Sequence, residues 1–419
     1  MTEIELSRLF FAVFVLLVAA LGSGYVFDRL GMPRVIGEIT GGLLLGPSVL
    51  GWVLPGAHGW LFAAEPGQKK ALEILYWIGL VLLMFTSGFR IQRNLSPQDR
   101  RTIAVVLFGA TIPPFFLGFA APAVLDMRAF MGEAAHLLSF QIVVGIAVSV
   151  TSIPVISKIF LDLGIMETRF AKIVLGCATF QDLALWAALA VATGLAAAPD
   201  AGGAQVPVWS LIRHGALTTG FIGLSFWLAP SALPAASGYR FNLISRASPT
   251  GYTLAICFLF AAVASILGVN AIFGAFIAGI AVGALPEAKF GEVKARIAEV
   301  SLAFFVPIYF AIVGLKIDLP RFFDPAFTFW FILLSTMAEF LCTMAAAKWV
   351  GRSTLTSINL GMAMNTRGGP GIVLASVAYG YGVINGPFFA ALVTAAVITS
   401  LISGAWFRYV LRRGLRLYD

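Results

Sequence analysis

The stretch CATFQDLALW places an amide, Gln181, and a carboxylate, Asp182, side by side within small and apolar residues. The flanking AKIVLG and AALAVATGLAAA continue that character on both sides. At about 1.5 Å of rise per residue the pair falls near the middle of a helix long enough to cross about 30 Å of hydrocarbon. A carboxylate at that depth is costly unless it faces protein, water or an ion. The chemistry open to it is reversible: it holds either a proton or a monovalent cation, and competition between the two suffices for exchange. Asp182 is therefore the expected cation and proton site, with Gln181 adding an uncharged oxygen. The alternative is a buried aspartate that only hydrogen-bonds between helices.

Two further stretches supply candidate partners. SVTSIPVISK contains Pro154 in mid-segment, and MNTRGGPGIV contains Asn365, Arg367, Gly368, Gly369 and Pro370. Proline removes a backbone N–H and clashes with the preceding turn, so both helices should break and free carbonyls near the bilayer midplane. Thr151 and Ser152 then offer hydroxyls to a dehydrated cation, although hydroxyls also serve plain helix packing. Lys158, about one turn beyond Pro154, either compensates half-helix carbonyls or extends to the membrane surface. Arg367 beside a break requires a carboxylate or several carbonyls, which points to a structural role at a helix crossover.

These residues sit in a strongly apolar chain. Of 419 residues 59% are hydrophobic and 11% charged, against about 25% charged in soluble domains. The mean hydropathy is +0.93. The class is an all-α polytopic membrane protein, and hydropathy predicts thirteen spans. They lie near 6–28, 33–54, 71–88, 101–125, 137–161, 169–198, 208–230, 248–268, 270–286, 299–318, 326–350, 355–380 and 386–411. The first lacks a basic leader and cleavage site, so it reads as a span and not a signal peptide. Most of the 28 lysines and arginines fall on one side, as with Arg29, Arg34, Arg100, Arg101, Lys289, Lys294, Arg296, Arg408 and Arg412. Arg8, Lys69, Lys70, Arg128, Lys316 and Arg321 fall on the other. This asymmetry predicts an outer N-terminus and a cytoplasmic C-terminus. The net charge of +8 needs no nucleic-acid partner.

The two halves share a glycine pattern. VIGEITGGLLLG carries Gly37, Gly42 and Gly46, and IFGAFIAGIAVG carries Gly274, Gly279 and Gly283 with the same spacing. FTSGFRIQ and AIVGLKID match Gly88 with Gly314 and Arg90 with Lys316. A shift of seven spans is odd, so the second half must lie upside down relative to the first, as in secondary transporters. The expected organisation is one membrane unit over 1–419: a first inverted repeat at 1–200, a linker helix and loop at 201–247, and a second inverted repeat at 248–419. No soluble regulatory domain is expected.

The stretches PRVIGEITGGLLLGPSVLG, SVTSIPVISKIFLDLGIMETRFAKIVLGCATFQDLALW, FFVPIYFAIVGLKIDL and MNTRGGPGIVLASVAYGYGVI resemble the monovalent cation:proton antiporter superfamily. Within it they resemble family 2, which includes the glutathione-gated potassium efflux antiporters. The resemblance implies two inverted six-helix repeats with crossed broken helices, as in sodium/proton antiporters. It also implies a separate dimerisation domain built on the Gly-rich spans, and elevator-like alternating access. The Gln-Asp pair is similar to the potassium efflux branch, where many other relatives carry two aspartates. One departure stands out: Glu339 occupies the place in span eleven where the family usually has lysine. If Glu339 approaches Asp182, the two carboxyls would share a proton and form a joint ion site. The alternative is a Glu339 that pairs with Arg367 or faces the cytoplasmic cavity and never meets Asp182.

The expected function is antiport of K+ or Na+ against protons, the monovalent cation bound at Asp182, in a homodimer in a bacterial inner membrane. No cofactor is called for, and a separate regulatory subunit is left open. A carrier of the same fold for an organic ion or hydrophobic cation complex is the alternative, followed by a cation channel, although no TVGYG-like filter occurs. An enzyme is disfavoured. Cys177, Cys257 and Cys342 share no metal-ligand spacing, and neither a nucleophile elbow nor a P-loop is present.

Overall fold

The computed structural model describes residues 2–63, 66–89, 99–196, 220, 242–267 and 271–419. The expected seventh span, near 208–230, and most of the expected linker lie outside the described residues. Among the described residues the chain is helical apart from one isolated bridge between Met131 and Ile384. The main helices in chain order are α1 (Glu3–Arg29), α2 (Arg34–Leu45), α3 (Pro66–Phe89), α4 (Arg100–Val124), α5 (Leu137–Ser149), α6 (Ile153–Asp162) and α7 (Arg169–Ala196). They continue as α8 (Pro249–Ile266), α9 (Ala271–Gly283), α10 (Glu287–Val300), α11 (Val306–Leu315), α12 (Pro325–Trp349), α13 (Thr354–Met364), α14 (Gly368–Gly380) and α15 (Gly386–Arg412). Among the described residues nine helical stretches are long and apolar enough to cross a membrane, with shorter apolar helices at Leu137–Ser149 and Ala271–Gly283.

The sequence explains where several spans start. Ser248, Asp324 and Asn385 each accept a hydrogen bond from a backbone N–H in the first turn, and each is followed within two residues by proline. The side chain satisfies an orphan donor, and proline occupies a position where no donor is needed. Every expected span other than the seventh coincides with helix, with one change of boundary. The tenth begins at Glu287 and runs to Leu315 through a π turn at Ser301–Phe305. Its charged first half, EAKFGEVKARIAEV, reads as a loop by hydropathy. Its buried Phe290, Val293 and Ile297 instead form a stripe at helical spacing.

The chain divides into two compact units, each built from both halves. The first comprises Met1–Ser23, Glu38–Ile91 and Val206–Lys316, and the second Gly24–Gly37, Gln92–Gln205 and Ile317–Asp419. In the first unit, backbones touch at two helix crossings. A Cβ on Gly42 of α2 would lie 1.8 Å from the Ala311 carbonyl oxygen, and one on Gly314 of α11 would lie 2.0 Å from that of Ile39. A Cβ on Gly279 of α9 would lie 2.1 Å from the Phe85 oxygen, and one on Gly88 of α3 would lie 2.6 Å from that of Phe276. Under the repeat alignment Gly42 matches Gly279 and Gly88 matches Gly314, so each crossing is the other with its partners exchanged. That exchange is the signature of an internal two-fold and carries the inverted-repeat fold.

The second unit holds both broken spans. Its core gathers Val106, Phe160, Phe170, Val174, Leu360 and Phe407. The rings of Phe160, Phe170 and Phe407 meet with centroids 5.6–5.7 Å apart, fixing α6, α7 and α15 against one another.

Candidate functional site

Both expected breaks are present. Between α5 and α6 the backbone is extended at Val150 and Ser152, and Pro154 falls in the first turn of α6. Between α13 and α14 the interruption is Asn365, Thr366 and Arg367, ending at Gly368 with φ +32°. The breaks meet. The Ser152 N–H donates to the Thr366 carbonyl, and the Thr151 hydroxyl donates to the Met364 carbonyl. A Cβ on Gly368 would come within 2.3 Å of Val155 Cγ2 and 2.6 Å of Ser152 Oγ, so only glycine lets the strands pass this closely. Ser152 Oγ also accepts from Val155 N at 3.3 Å, capping α6.

A broken helix strands its last carbonyls, and here side chains reach them. Gln181 Nε2 donates to Ser149 O at the end of α5 (2.6 Å) and to Ala110 O on α4 (3.2 Å). Ala110 is four residues before Pro114, which has no N–H to return, so its carbonyl lacks the usual helical partner. Arg367 Nη2 donates to Val148 O at 3.2 Å, and Nη1 donates to Ser335 Oγ at 2.7 Å. The guanidinium thus places positive charge at the negative end of the α5 dipole.

These assignments leave certain oxygens open. With both Gln181 donors engaged, its Oε1 is buried and has no partner, as are Asp182 Oδ1, Asn365 Oδ1 and Thr366 Oγ1. Asp182 is 7% exposed and lines a cavity of about 10 Å³ with Ile146, Val150, Trp186, Pro370 and Leu374. That volume accommodates one water-sized particle. Residues from both broken spans therefore share a wall with the one carboxylate on this cavity.

The remaining candidates take other places. Glu339 is fully buried: its Oε2 lies 3.5 Å from Arg367 Nη2, and its Oε1 accepts from Thr151 Oγ1 at 3.4 Å. Of the arrangements weighed from the sequence, this is the pairing with Arg367. Lys158 pairs with Asp28 at 3.1 Å. A Cβ on Gly369 would meet nothing within 4 Å. Sequence reasoning missed Thr366, Ser335 and the Ala110 carbonyl. Pro114 was the available signal for the last, since a proline in mid-helix always frees the carbonyl one turn back.

The family described as sodium/hydrogen exchanger, transmembrane, matches residues 13–413. The chain belongs to this family. Among other sodium/hydrogen exchanger relatives, the chain is 27% identical over 408 residues to the Na(+)/H(+)-K(+) antiporter GerN of Bacillus cereus, covering 96% of this chain and 95% of that one. It is 28% identical over 395 residues to the Na(+)/H(+) antiporter NhaS4 of Synechocystis, covering 91% of each. It is also 27% identical to cation/H(+) antiporter 18 of Arabidopsis thaliana, spanning 90% of this chain but only 46% of that longer protein. The sodium proton antiporter MjNhaP1 of Methanocaldococcus jannaschii shares the fold, with a TM-score of 0.60, 16% identity and 96% coverage of both chains.

Proposed function

We propose that this multi-pass membrane protein exchanges a monovalent cation, K+ or Na+, for protons at Asp182. The observation that carries the reading is the pair of buried, unpartnered oxygens, Asp182 Oδ1 and Gln181 Oε1, with the carboxylate on a cavity for one small particle between broken helices. A dehydrated alkali cation needs several oxygens, and one negative charge among neutral donors balances it. A proton satisfies the same carboxylate in the cation's absence. The volume favours a small ion over an organic substrate. Membership of the sodium/hydrogen exchanger family and the antiporter relatives support the same chemistry.

Asn365, Thr366 and Thr151 provide further neutral oxygens, while Arg367, Gly368, Pro154 and Pro370 maintain the crossover. Glu339 serves as the counter-ion of Arg367. Alternating access is elevator-like, with the unit bearing the broken helices as the carrier. Dimerisation uses the face containing the first, second and ninth expected spans, which are α1, α2 and α9, where α1 exposes Phe10, Phe11, Phe14 and Val18. The N-terminus lies outside and the C-terminus in the cytoplasm, and a separate regulatory subunit is compatible with this arrangement. The test is the purified protein in liposomes, with proton flux recorded against each alkali cation in turn. Proton movement coupled to none of them would overturn the reading.

A further inference from the structure

A second cavity, of about 370 Å³, opens in the second unit where α1 ends. Asp28, Arg29, Gly31, Lys158, Gly404 and Arg408 line it. It has three cationic side chains and one carboxylate, and the carboxylate is already engaged. Asp28 lies 3.1 Å from Lys158 Nζ and 3.2 Å from Arg34 Nε. Among the described residues Arg29 meets the Tyr25 hydroxyl, at 2.9 Å, and the face of that ring, neither of which neutralises it. Arg408 has no carboxylate within ion-pair distance among the described residues. Its guanidinium rests over two glycines: a Cβ on Gly31 would come within 3.1 Å of Nη1, and one on Gly404 within 3.8 Å of Nη2. Gly31 also holds a left-handed φ of +71°. A side chain is thus missing at Gly31, where it would crowd the guanidinium, while at Gly404 a Cβ would only touch it.

We infer that this cavity binds an anionic phosphate group, carried by a lipid headgroup or free in solution. Two uncompensated guanidinium groups and an ammonium shared with Asp28 give a half-enclosed site an excess of positive charge. The planar fork of arginine matches a phosphate better than it matches a monovalent halide. The lysine and arginine distribution puts this end of the unit at the cytoplasmic face, where anionic headgroups accumulate. The site has a built-in competitor, because Asp28 must share Lys158 with the ligand. It also has a link to the crossover: Lys158 belongs to α6, the half-helix beyond the break, so a bound phosphate ties α6 to the end of α1 and to α15.

The site is tested by direct binding, which does not depend on whether the chain exchanges cations. In one arm, native mass spectrometry counts phosphatidylglycerol retained by the full chain after release from nanodiscs containing it beside phosphatidylcholine. In the other, calorimetry measures inorganic pyrophosphate binding to the chain in phosphatidylcholine nanodiscs. Binding in either arm supports the site, and the arm identifies the source. Arg408→Gln, or the exposed Arg29→Gln should the first fold poorly, is expected to weaken binding roughly tenfold. Asp28→Asn is expected to strengthen it by removing the carboxylate that competes for Lys158. Lys172→Gln removes the same charge from an exposed residue paired with Glu167 and should change nothing. No binding in either arm would overturn the inference, as would equal effects of Arg408→Gln and Lys172→Gln, or weaker binding in Asp28→Asn.

Discussion

Arg367 and Glu339 form a buried ion pair, 3.5 Å from Nη2 to Oε2, with side chains 2% and 0% exposed. Nη2 also donates to the Val148 carbonyl and Nη1 to the Ser335 hydroxyl, so the pair is anchored across α5, α12 and the second break. Removing one partner leaves a buried charge uncompensated, whereas removing both does not. Glu339→Gln is therefore expected to destabilise the fold by roughly 3–5 kcal/mol. The double variant Glu339→Gln with Arg367→Gln should lose less than the sum of the two single changes. Thermal and denaturant unfolding in detergent give the double-mutant cycle, and an additive result would show that the pair is not coupled.

With Glu339 committed to Arg367, Asp182 is the one carboxylate on the small cavity. A single carboxylate that carries one cation one way and one proton back moves no net charge. Asp182→Asn is expected to abolish coupled proton flux in liposomes while leaving the folded fraction unchanged by size-exclusion chromatography. The unaltered protein should show exchange insensitive to an imposed membrane potential. Potential-driven exchange would require a second titrating group at the site.

Gln181 donates twice, to Ser149 O and Ala110 O. Gln181→Glu keeps the shape but replaces both donors with acceptors facing carbonyls, at a cost of about 1–3 kcal/mol for each stranded group. A protonated carboxyl can return one donor, so the stability lost at neutral pH should be partly regained on acidification. Melting curves of the variant and the parent across pH would show the gap narrowing as pH falls. A constant gap would mean that the amide donors do not contribute.

The glycines divide into those that need to be glycine and those that do not. Gly42→Ala drives a methyl into the Ala311 backbone and is expected to cost on the order of 1–3 kcal/mol. Gly369→Ala meets open space near the start of α14. It should be neutral or stabilising by up to about 1 kcal/mol. Parallel unfolding titrations of the two variants provide the comparison, and similar losses would contradict the contact geometry.

Much of this arrangement was legible in the sequence because the physics behind it is local. Pro154 and the Gly368-Gly369-Pro370 run interrupt their own helices regardless of what surrounds them. The depth of Asp182 follows from counting residues between polar ends. Glu339 was weighed as a partner of Arg367, but Asp28 for Lys158, and Val148 and Ser335 for Arg367, were not legible, because they are brought there only by tertiary packing between distant segments. The start of the tenth span was obscured for another reason. Hydropathy averages over the charges of EAKFGEVKARIAEV and conceals the apolar stripe that a helical period reveals.

The two glycine crossings of the first unit have a consequence for how such a chain can be assembled. Gly42 meets the Ala311 backbone and Gly279 that of Phe85, and the two contacts are equivalent under the repeat. One half alone therefore encodes both the knob and the socket of a self-complementary joint. A polypeptide of half this length, inserted in both directions across a bilayer, would meet its own inverted copy through the same two contacts. Fusion into one chain changes what that joint demands: its two sides need no longer be identical. That freedom allows Phe85 to stand opposite Gly279 while Ala311 stands opposite Gly42.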